Sequence, residues 1–104
     1  MREGKDYLTT FASRVPATKE AKMAQLMDVH TSMVGVTPEA LAAAHQADLD
    51  IQGEENVDFK QAWADPNTGH VFCLSEAPDA AAVARVHERA GHPADQIHEI
   101  TVTA

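Results

Sequence analysis

Six histidines, a single cysteine and a surplus of acids are the side chains of this 104-residue sequence that can do chemistry. His30, His45, His70, His87, His92 and His98 all follow residue 22, where thirteen acids meet only Lys60, Arg85 and Arg89. Imidazole, thiolate and carboxylate together suit a borderline transition ion such as nickel or zinc. Two groupings follow from spacing. In the first, alternation along two strands puts Met27, Val29, Phe72 and Leu74 toward the helices. Asp28, His30, Cys73 and Ser75 then share the opposite, open sheet face. In the second, His45 lies on a helical stripe with Leu41 and Leu49, and His87 on another with Val83 and Ala90. Glu76 shares the strand face of Phe72, so these two imidazoles and a carboxylate can converge where the helices leave the sheet. The metal candidates are therefore His30 and Cys73 in one set, and His45, Glu76 and His87 in the other. Residue types alone leave plainer roles open: Cys73 as a small buried side chain, the histidines as hydrogen-bonded structural residues.

Other chemistries find little support. His87 and His92 are one residue too far apart for a helical zinc-protease pair, and Gly91 interrupts them. There is no CxxC pair, phosphate loop, dinucleotide turn or nucleophile elbow, so a catalytic role is not expected. Residues 1–22 carry five basic and three acidic groups, whereas 23–104 have a formal net charge of −10. So acidic a surface repels phosphate backbones and attracts cations, which argues against nucleic acid. No apolar run is long enough to span a bilayer and residues 1–22 lack a secretory core, so neither a membrane span nor export is expected. One cysteine forms no internal disulfide, which fits a reducing, cytoplasmic setting.

The elements that must position these groups read clearly. Residues 1–22 lack a sustained period and are expected to be a flexible extension, with one domain over 23–104. Leu26–His30 alternates as a strand. Thr37-Pro38-Glu39 is an N-cap, a first-turn proline and a first-turn acid, opening an alanine-rich helix to about Gln52 with Gly53 as its stop. Val57–Trp63 and His70–Glu76 alternate as strands around the turn Asp65-Pro66-Asn67-Thr68-Gly69. Pro78-Asp79 opens a second helix that Gly91 and Pro93 end, and Ile97–Val102 is the last strand. Strand, helix, strand, strand, helix, strand predicts an α+β ferredoxin-like βαββαβ fold: a four-stranded antiparallel sheet with both helices on one face. The first and third strands are expected as central neighbours, running parallel. The uncovered sheet face predicts a homodimer.

Several segments together resemble a known family. They are Met27-Asp28-Val29-His30, Gly35-Val36-Thr37-Pro38-Glu39, Ala44-His45-Gln46-Ala47-Asp48-Leu49, Val71-Phe72-Cys73-Leu74, Glu76-Ala77-Pro78, Val86-His87 and Ala94-Asp95. From Met23 onward the chain resembles the small bacterial family of nickel-binding, nickel-responsive ferredoxin-like proteins. The resemblance implies a dimer that binds nickel at its surface to sequester or buffer it; zinc and copper are chemical competitors at nitrogen and sulfur donors. Higher, metal-induced assemblies are expected from surface histidines such as His92 and His98. The competing readings are a small dimeric enzyme acting on an organic substrate and a protein-interaction module.

Overall fold

A computed structural model describes residues 23–104; the expected extension over 1–22 lies outside the described residues. Among them the chain runs β1 (Ala24–His30), α1 (Pro38–Ile51), a 3₁₀ turn (Gln52–Glu55), β2 (Asp58–Asp65), β3 (His70–Ala77), α2 (Ala80–Ala90) and β4 (Gln96–Ile100). The strands form one sheet in the order β2-β3-β1-β4, which is the ferredoxin-like fold.

β1 and β3 are the central neighbours, but they run antiparallel, which corrects the expected parallel pairing. The crossover through α1 makes β1 and β2 parallel and leaves a gap between them. β3 returns from β2 through a hairpin and fills that gap in the opposite sense.

Local chemistry sets the helix ends. The Thr37 hydroxyl accepts from Ala40 N (3.0 Å) and Pro38 follows it, so α1 starts where the sequence predicts. Gly53 is not its stop: the chain tightens into the 3₁₀ turn and ends at Asn56, which takes the left-handed conformation (φ 59°) that asparagine tolerates. α2 begins on the Asp79 carboxylate, which accepts from Ala82 N (2.9 Å). It closes at Gly91 (φ 90°), beyond which the His92 N–H donates to the His87 carbonyl (3.0 Å).

The sheet faces are the reverse of the expectation. Leu26, Asp28 and His30 of β1 and Val71, Cys73, Ser75 and Ala77 of β3 are buried beneath the helices. Val83 and Val86 of α2 reach 0% exposure against them, each worth about 1.5–3 kcal/mol of apolar burial. Met27, Phe72 and Leu74 lie on the open face, half-buried. Both faces of β1 and β3 carry apolar residues, so alternation identified the two sets without saying which one the helices cover. In β2, Phe59 pairs with Ser75 and Gln61 with Leu74, leaving Lys60 as a bulge. The bulge reverses the alternation: Phe59 is buried in the core, and Trp63 emerges 41% exposed on the open face.

Candidate metal centre

The polar residues sealed beneath the helices form the candidate site. Asp28 is fully buried beside Cys73, its cross-strand partner, and His30 stands at the end of β1. His87 descends from α2 into the same space at 0% exposure. One donor atom from each of Asp28, His30, Cys73 and His87 lies within 4.8 Å of the others. A second group, Asp48 of α1 with His87 and His92, meets the same limit. His87 belongs to both.

The hydrogen bonds orient the imidazoles. His30 Nδ1 donates to the Pro93 carbonyl (3.2 Å), so its Nε2 faces Asp28 Oδ1 at 3.1 Å. His87 Nδ1 donates to Asp48 Oδ1 (3.0 Å), and His92 Nε2 donates to the same oxygen (2.9 Å). The other nitrogen of His87, Nε2, lies 2.9 Å from Asp28 Oδ2. That pair is close enough for a strong charge interaction but poorly aligned for a hydrogen bond, and neither atom has another partner among the described residues. His30 packs edge-on against His87 and His92, which are tilted against each other, with centroids 4.7–5.7 Å apart.

Two loops hold the arrangement. The turn at Gly91 brings His92 back beside His87, five residues earlier, which their sequence spacing had not suggested. Asp95 N donates to the Val29 carbonyl (2.8 Å), and the Asp95 carboxylate accepts from the backbone and hydroxyl of Thr31 (2.7 and 2.9 Å). These bonds fix the Pro93 carbonyl over His30, and those from Thr31 lower the Asp95 pKa.

The electrostatics follow from burial and pairing. Burial alone disfavours a charged Asp28, but His30 and His87 outweigh it and hold its pKa below the usual carboxylate value. Burial also disfavours a charged His87, yet Asp28 and Asp48 on its two sides raise its pKa to about 9. Burial, and then the charges of Asp28 and Asp48, push the Cys73 thiol far above its ordinary range.

His30, Cys73 and His87 of the two sequence-predicted sets thus come together, although the alternation had placed the first two on a face away from His87. His45 lines a narrow cavity of about 10 Å³ with His30, Asp48, Cys73 and His92. Glu76 lies across the sheet from this cluster, paired in register with Asp58 and 3.9 Å from Lys60 Nζ. Its alternation partners Phe72 and Leu74 went to the open face, and it went with them. Asp48 and His92 were missed as site residues. Asp48 did leave a signal: it falls seven residues after Leu41 and three after His45, a carboxylate on the stripe that faces the core.

The family description "Nickel responsive protein SCO4226-like" matches residues 26–100. Among solved structures, the crystal structure of SCO4226 from Streptomyces coelicolor A3(2) is 59% identical. The match covers 78% of this chain and 100% of that one, with a TM-score of 0.77. Nothing among curated proteins matches. The family match thus runs from β1 through β4 and covers well over half of the chain, and the chain belongs to the nickel-responsive SCO4226-like family.

Proposed function

We propose that the protein binds nickel within the Asp28–His30–Cys73–His87 cluster and sequesters or buffers the ion without catalysing a reaction. The observation that carries this reading is the convergence of His30 Nε2 and His87 Nε2 on one carboxylate, each ring being oriented by an acceptor at its far nitrogen. Metal-binding histidines are typically held in this way. Donors bonded at about 2.0–2.1 Å and at right angles sit about 3 Å apart, close to the 2.9 Å between His87 Nε2 and Asp28 Oδ2. The unaligned contact between those atoms suits a site in which a cation takes the place of the proton. Imidazole with carboxylate and thiol favours nickel, zinc or copper over magnesium or calcium. The family's description supports nickel; zinc and copper are its chemical competitors at such donors. A cavity of about 10 Å³ holds roughly one water, which favours ion binding over a reaction on an organic substrate.

The homodimer belongs to the same reading. Met27, Leu74 and Gln61 form one row across the open face, and Val29, Phe72 and Trp63 the next. A second copy would cover the apolar side chains still partly exposed here, Met27, Trp63, Phe72 and Leu74. His98 pairs in register with Met27 and so lies at the β4 edge of this same face, where metal bound by it would act on the contact between copies.

Native mass spectrometry of untagged protein offered equal nickel, zinc and cobalt tests the function. Nickel should be retained by the parent, weakened by Asp28→Asn and His30→Ala, and unaffected by Glu76→Gln. A parent that retains no ion, or variants that all bind alike, would refute it.

A further inference from the structure

The proposed donors are sealed: Asp28, His30, Cys73 and His87 are each 5% exposed or less. An ion that reaches them needs a route. An open depression of about 330 Å³ lies between α1 and β2, with Leu41, His45 and Ala62 in its wall. The same three residues also line the inner cavity of about 10 Å³, whose other walls include His30, Asp48, Cys73 and His92. Leu41, His45 and Ala62 therefore stand between the two hollows, as the neck that an ion passing from one to the other would cross.

The neck poses a solvation problem. A cavity with room for about one water does not admit an ion carrying its full hydration shell. Losing that water without a replacement donor is costly. Leu41 and Ala62 offer no side-chain donor. His45 offers an imidazole whose Nδ1 is buried and has no hydrogen-bond partner among the described residues. Lys60, which also lines the outer depression, has its ammonium bound to Asp58 at 2.7 Å.

We propose that the groove between α1 and β2 is the entrance for the ion, and that His45 is a transfer ligand replacing hydration water as the ion passes the neck. This rests on the nickel site proposed above, but it concerns how the ion arrives rather than where it rests. His45 acts on the barrier, in both directions. Its loss therefore slows uptake and release together and leaves their ratio, the equilibrium affinity, in place.

The test is stopped-flow nickel uptake by untagged, full-length protein, release into excess chelator, and an independent equilibrium titration. For His45→Ala both rates should fall about tenfold, the equivalent of about 1.4 kcal/mol in the barrier. Leu41→Trp, which fills the neck while keeping the His45 imidazole, should also slow both rates. Unchanged or faster rates in both variants overturn the proposal. A weakened affinity with unchanged uptake makes His45 a ligand of the resting ion and overturns it as well. A parent that binds no nickel instead overturns the function proposed above, and the entrance with it.

Discussion

His87 makes the metal-free fold sensitive to alkali, by an amount the geometry allows to be worked out. Its pKa rises from 6.5 to about 9 because Asp28 and Asp48 flank it in a site with no access to water. A folded pKa above the unfolded one means that the native state keeps a proton the unfolded chain has lost. The stabilisation is complete below about pH 6.5, where it amounts to roughly 3 kcal/mol, and is lost as pH rises through about 9. About 2 kcal/mol of it should disappear between pH 6.5 and 8.5. Cys73 adds to the decline only above about pH 8.5, where an unfolded thiol ionises and the buried one does not. Urea unfolding followed by circular dichroism would measure this, in chelator, at constant ionic strength and fixed chain concentration. Cys73→Ala should keep the slope between pH 6.5 and 8.5, and His87→Gln should flatten it. If His87→Gln does not fold, titration of the His87 ring by NMR replaces the comparison. A parent whose stability is flat over that window, or a His87 ring that titrates near 6.5, would refute the clamp between two carboxylates.

Other outcomes follow from the same contacts. Asp28 has a lowered pKa, so its contribution is present above about pH 3.8 and is lost as acid protonates it; metal-free protein should unfold in acid at lower urea in the parent than in Asp28→Asn relative to their values at pH 6. Asp48→Asn removes the charge behind His87 and should weaken nickel affinity about 10–100-fold in an equilibrium titration while leaving the donors in place. Gly69→Ala should cost about 1–3 kcal/mol by thermal or urea unfolding, because φ is +83° and the new Cβ would lie 2.7 Å from Val34 N. Leu74→Asp on the open face should convert a dimer to a monomer in light scattering with the metal centre intact; an unchanged mass would show that this face is not the interface.

The order of elements was legible in the sequence because its signals are local. Thr37-Pro38, Asp79 and Gly91 each act on backbone groups within a few residues, and the tertiary structure keeps all three. Alternation also grouped Asp28, His30, Cys73 and Ser75 on one face, since side-chain direction in a strand is fixed by the pleat. Which face the helices cover was not legible. β1 and β3 are apolar on both sides, and the decision lay in distant partners: Asp28 can be buried because His87 arrives from α2, some sixty residues later. The bulge at Lys60, the antiparallel course of β1 and β3, and the return of His92 to Asp48 likewise depend on pairings that no local window contains. The sequence by itself determined the elements and the stock of donors. Only the tertiary structure decided that those donors meet beneath the helices, because a buried charge is tolerable only where its partner already stands.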